Sequence, residues 1–163
     1  METAYQLAQL NIGRMRAPTD DPMVTEFMAA LDEINDIADR SAGFVWRLQT
    51  EDGNATSIRP FDDELLLVNM SVWESIETLS EFVYRSDHVA LLRRRREWFD
   101  RMDESYLVLW WVLRGHIPTV TEAIERLEHL RRNGPTPHAF TFRSVFAASG
   151  DEVAADDRDA CPA

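Results

Sequence analysis

Thiol chemistry is almost missing from this chain: its one cysteine, Cys161, lies near the C-terminal end. A lone cysteine excludes an intrachain disulfide and a thiolate cage for a metal. Long apolar runs are missing too. No segment reaches the ~20 apolar residues of a spanning helix, and the N-terminal METAYQLAQLNIG has no basic leader, so no membrane partner and a cytoplasmic location are expected. Positive charge is scarce: 17 Lys and Arg stand against 29 Asp and Glu, a net charge of −12. That field repels phosphate and disfavours nucleic acid or anionic lipid as a partner. Neither a Gly-rich phosphate loop, a nucleophile elbow nor an HExxH run occurs.

What is present is a chain of 163 residues, 45% apolar, enough for one packed domain. Residues 1–146 read as that domain and 147–163, small and acidic, as a disordered tail. Ala4 to Ile12 alternates as a strand. Asp21 followed by Pro22 starts a helix whose Val24, Phe27, Met28, Leu31, Ile34 and Ala38 form one stripe, ending before Gly43. Strands are expected at Phe44–Thr50, Glu64–Trp73 and Leu107–Leu113. Helices are expected at Ser75–Tyr84 and from His88 to about Met102. Thr119 and Glu122 make a capping box for a further helix that stops at Asn133-Gly134-Pro135, and Ala139–Phe146 reads as a last strand.

This order predicts an α+β fold: a ferredoxin-like split β-α-β sheet with an extra C-terminal helix and strand. On the third strand, Leu66, Val68, Met70 and Val72 make an apolar face that the C-terminal pair or a second subunit must cover. A homodimer closing sheet on sheet is the preferred expectation. The opposite face carries Asn69, Ser71 and Trp73 among leucines, which points to a pocket for a small molecule. His88 falls on the inward stripe of its helix, as general base, axial heme ligand or hydrogen-bonded core histidine. Arg95 shares that stripe and could meet an acidic ligand or a buried carboxylate, whereas Arg93 to Arg96 as a run reads as a solvated, salt-bridged face. Trp110 and Trp111 read as core. His116 and His138 stand too far apart in sequence for a metal pair, so no metal is expected.

The run Ala30-Leu31-Asp32-Glu33-Ile34-Asn35 through Gly43-Phe44-Val45-Trp46-Arg47-Leu48, with Ser71-Val72-Trp73-Glu74-Ser75, Tyr84-Arg85-Ser86-Asp87-His88 and Gly134-Pro135-Thr136-Pro137, resembles an uncharacterised bacterial family. That family belongs to the dimeric α+β barrel group and is distantly related to antibiotic-biosynthesis monooxygenases. The resemblance implies a dimeric barrel. In cofactor-independent quinone-forming relatives, an asparagine and a tryptophan stand four apart on the third strand, as Asn69 and Trp73 do, while Leu79 stands near the place of their tyrosine. In heme-degrading relatives the matching places fall at Asn11, Trp73 and His88.

Three functions follow as expectations. In the first, an enzyme without cofactor oxidises a small aromatic or apolar metabolite, with His88, Asn69 and Trp73 catalytic and Asn11, Ser71 and Arg95 binding. In the second, heme is bound or degraded. In the third, the dimer binds a small ligand and catalyses nothing.

Overall fold

The computed structural model describes residues 4–18, 20–50, 56, 60–63, 65–85 and 93–151, the side chains of Arg85 and Arg95 excepted. Four strands, β1 Tyr5–Arg14, β2 Phe44–Arg47, β3 Leu66–Trp73 and β4 Leu107–Leu113, form one antiparallel sheet in the order β2-β3-β1-β4. Four helices accompany it among the described residues: α1 Thr25–Arg40, α2 Ile76–Arg85, the single turn α3 Arg95–Trp98, and α4 Val120–Asn133. The fold is mixed α+β, and no described helix is long and apolar enough to cross a membrane.

Local chemistry starts and stops these elements as expected. The Asp21 carboxylate accepts the Met23 N–H at 2.8 Å, and Pro22 opens a 3₁₀ turn that leads into α1. At the far end of α1, Gly43 adopts φ +79°, and a Cβ there would collide with the side chain of Thr78 on α2. Glycine is needed for conformation and for space alike. The Thr119 hydroxyl accepts the Glu122 N–H at 3.1 Å to cap α4.

The central strands β1 and β3 are apolar on one face from Ala8 to Ile12 and from Val68 to Val72. Ala8, Leu10, Ile12, Val68, Met70, Val72, Val108, Trp110 and Val112 lie there, and Ala123, Leu127 and Leu130 of α4 pack onto them. Val68, Met70 and Val72 are 5%, 1% and 0% exposed in the single chain. Of the two covers expected for this face, the C-terminal pair and a second subunit, the chain itself supplies the first, and the preference for the second is corrected. The apolar stripe of α4 supplies the cover, and the argument for sheet-on-sheet pairing falls away. The other face packs against α1 and α2 through Leu7, Leu67, Trp73, Leu109, Phe27, Ala38, Ile76 and Leu79.

Two further expectations are corrected. The helix expected to reach Met102 ends at Trp98, because Phe99 bridges Met15 and the flanking amides of Arg16 and Asp100 donate to Trp98 and Arg14 carbonyls at 2.8 Å. Once those groups pair with β1, they cannot continue a helix. The last strand, Ala139–Phe146, is reduced to one bridge, Phe140 to Leu109, between tight turns at Thr136–Ala139 and Thr141–Ser144. Phe140 is fully buried against Leu7, Trp73 and Leu109. Of the expected tail, Ala147 to Asp151 closes a turn, and 152–163 lie outside the described residues.

Charged clamps hold both ends of the sheet. At one end Arg14 donates to Asp63 at 2.8 Å and to Asp100 at 2.7 Å. At the other, Glu74 accepts from Arg114 at 2.7 Å and from Gln6 at 3.1 Å, joining the ends of β1, β3 and β4. The Arg114 guanidinium, helped by Gln6 and opposed by partial burial, holds the Glu74 carboxyl below the ordinary carboxylate range.

Because that pKa is depressed in the folded chain, its stabilisation is present above the unfolded value of about 4.3 and is lost as pH falls through the folded value. Glu74→Gln should be less stable than wild type in urea at pH 7, with the difference closing in acid; a gap constant down to pH 3 would contradict the assignment. Coverage by α4 is open to test as well. Leu127→Ala should cost about 2–5 kcal/mol, with a denaturation midpoint that dilution does not move. A midpoint rising with protein concentration would show that a second chain shares the cover.

Candidate functional site

The helix-facing side of the sheet carries a hydrogen-bonded polar row. Antiparallel register sets Gln9 opposite Ser71 and Asn11 opposite Asn69 on adjacent strands, all on one face by strand parity. Gln9 Nε2 donates to Asn69 Oδ1 at 2.7 Å and to Ser71 Oγ at 2.8 Å. The Trp73 indole N–H donates to the same Ser71 oxygen at 2.8 Å. Arg47, opposite Ser71 on β2, is buried and donates to Asp39 of α1 at 2.8 Å.

The row is graded in burial. Trp73 is 1% exposed, stacked on Phe82 at 5.1 Å and met edge-on by Phe44 at 5.5 Å. Ser71 and Gln9 are buried, and Asn69 is exposed. The Trp73 end is the buried one because Phe82 of α2 stacks over it. Thus Asn69, Ser71 and Trp73 are brought together as expected, with Trp73 packed as core behind the row. Asn11 is half-buried across from Asn69. His88 and the Arg95 side chain lie outside the described residues. Arg94 does sit in a salt-bridged face, paired with Glu26 and with Glu97 at 2.5 Å, its guanidinium 4.6 Å from the Trp98 ring centre.

Two groups escaped the sequence reading. Gln9, the hub of the row, shares parity with Leu7 and Asn11, so an amide two residues before Asn11 on the same strand face was the available signal. A second cluster joins α4 to the turn after it. Glu125 and His129, four residues apart on the helix, meet His138, which the return of the chain brings back. His138 Nε2 stands 3.1 Å from both Glu125 oxygens, and the His129 and His138 ring centres are 4.5 Å apart. Burial acts to raise the Glu125 carboxyl, but the His138 hydrogen bond and nearby positive groups outweigh it and hold the carboxyl below its ordinary range.

The sequence pattern of a known family matches residues 6–156, nearly the whole chain. This chain belongs to the family described as Domain of unknown function (DUF3291). Among curated proteins nothing matches. Two solved structures are similar to this family member: PA3566 from Pseudomonas aeruginosa, and the NE2512 protein of unknown function from Nitrosomonas europaea. The first has a TM-score of 0.47 and 11% identity over 71% of this chain and 99% of its own. The second has a TM-score of 0.42 and 10% identity over 71% of this chain and 95% of its own.

The burial gradient has a measurable consequence. Ser71→Ala leaves the buried Trp73 N–H without its acceptor and should cost about 1–3 kcal/mol. Asn69→Ala, at the exposed end, should stay within about 0.5 kcal/mol of wild type. Equal losses by chemical denaturation would refute a graded row.

Proposed function

We propose that the Asn69 end of the polar row binds a small, partly apolar metabolite through a hydrogen-bond acceptor on the ligand, such as a carbonyl or enolate oxygen. The observation that carries this reading is the direction of the Gln9 amide. Its nitrogen spends one proton on Asn69 Oδ1 and one on Ser71 Oγ, which turns the Asn69 amide nitrogen away from the row. That nitrogen has no partner among the described residues and lies on the exposed side. Leu107, opposite Asn11 on β4 and only partly buried, offers apolar surface to the rest of the ligand.

Oxidation of such a ligand by dioxygen without a cofactor, one oxygen atom replacing two ligand hydrogens as a carbonyl and the other leaving as water, is the second reading, and the spacing of Asn69 and Trp73 favours it through the likeness to quinone-forming monooxygenases. Asn69 would hold the developing oxyanion and His88 would take the proton, while Trp73 buttresses the row through Ser71 without touching the ligand. The strand order, with α1 and α2 on one face, supports a ferredoxin-like sheet of the dimeric α+β barrel kind. A homodimer of this chain would pair through surfaces other than the face α4 occupies. The single cysteine and acidic charge agree with a cytoplasmic setting.

A panel of small aromatic ketones, phenols and amines, screened by thermal shift on the full chain, tests the binding reading. Ketones should raise the melting temperature of wild type more than that of Asn69→Ala, with an affinity loss of roughly tenfold for one hydrogen bond. Equal stabilisation of both proteins, or a preference for donor-only amines, would defeat it. Added hemin should give no Soret band; a band abolished by His88→Ala would replace this reading with a heme site.

A further inference from the structure

We infer that Glu125, His129 and His138 form a binding site for a divalent transition-metal cation of the zinc type, held by two imidazole nitrogens and one carboxylate oxygen. Imidazole with carboxylate is the donor set of such ions, and three protein ligands leave a position for water. The three donor atoms lie within 4.8 Å of one another. Bonds of about 2.0–2.1 Å in a tetrahedral arrangement put donors roughly 3.3–3.5 Å apart. Rotation about side-chain bonds covers the difference, since Glu125 is exposed and both histidines are partly so.

The fold presets the donors. Glu125 and His129 share one face of α4 by their four-residue spacing. His138 is held in a turn closed in both directions by Thr136 and Ala139, whose amides donate to each other's carbonyls at 2.9 and 3.1 Å. His129 is steadied by Thr136 at 3.2 Å and Asn133 at 3.2 Å. A cation here would staple α4 to the segment that carries Phe140 into the core.

Arg126 works against the cation. Its Nη1 donates to the His138 carbonyl at 2.9 Å and meets His138 Nδ1 at 3.0 Å. With Nδ1 accepting, the proton sits on Nε2 and is shared with Glu125. Metal binding at Nε2 moves that proton to Nδ1, and Arg126 keeps the carbonyl alone. Removing the guanidinium while keeping its apolar stem therefore strengthens the site, an effect no purely structural role for the cluster produces.

Chelator-stripped full-length protein is titrated with Co²⁺, followed by visible d–d absorption, and with Zn²⁺ by calorimetry. One equivalent should bind. His129→Ala, His138→Ala and Glu125→Gln should each weaken binding by ~10-fold or more, Arg126→Met should tighten it, and His116→Ala and Cys161→Ser should leave it unchanged. Melting in chelator checks that each variant folds. If His138→Ala does not fold, Glu125→Gln at its exposed position decides alone. Absence of saturable binding, binding that survives loss of both histidines, or binding lost in His116→Ala or Cys161→Ser overturns the assignment.

Discussion

A four-stranded sheet whose two middle strands bury both faces must be covered twice, and the rest of this fold follows from how the chain meets that demand. A single layer of helices leaves one face to water, at roughly 25 cal/mol for each Å² of apolar surface left exposed. Here α1 and α2 cover the face bearing Leu7, Leu67, Trp73 and Leu109, and α4 covers the face bearing Leu10, Met70 and Trp110. The 14-residue helix α4 is therefore part of the core, and the segment beyond it returns to seal β4 through Phe140.

Covering both faces by helices leaves the ends of the sheet to be closed by other means. Charge does this at each end: Arg14 reaches across to Asp63 and Asp100, and Glu74 gathers Arg114 and Gln6. Both clamps are partly exposed, where an isolated pair is worth little, but each joins segments distant in sequence. Their role is to select register. A one-residue slip of β3 against β1 would break both clamps and turn Asn69 and Ser71 toward α4.

Much of this was legible. Alternation located β3 and assigned Met70 and Trp73 to opposite faces, and β4 falls on Leu107–Leu113 as read. The caps at Asp21 and Thr119 stand where their chemistry put them. What the residues could not reveal is which surface a stripe meets. Val120, Ala123, Leu127 and Leu130 make an apolar face whether it packs on its own sheet or on a partner's. Long-range pairing hid the rest. Phe140 looked like strand, but only its own residue bridges β4. His138 looked isolated because nine residues separate it from His129, a gap the turn after Gly134 closes. Gln9 was passed over because the amides Gln6, Gln9 and Asn11 on one strand read as imperfect alternation until Ser71 and Asn69 are seen opposite and beside Gln9.

The two faces of β1 and β3 supply an internal control on the meaning of the polar row. One face of these strands is apolar and densely packed from Ala8 to Ile12 and from Val68 to Val72, with Leu10, Met70 and Val72 at 1% exposure or less. The other substitutes Gln9, Asn69 and Ser71 at neighbouring positions of the same strands. A hydrogen-bonded row contributes about 1 kcal/mol net for each bond, no more than well-packed apolar side chains of similar volume contribute. Loss of Ser71 would leave the buried Gln9 and Trp73 donors without their shared acceptor. Folding alone therefore does not call for the row, and the apolar solution lies 180° away on the same backbone. Its gradient from the sealed Trp73 to the exposed Asn69 gives the row a direction, with the rigid end in the core and, among the described residues, the uncommitted amide nitrogens of Asn69 and Asn11 at the open end. A group held from behind and open in front is the arrangement on which the proposed ligand contact rests.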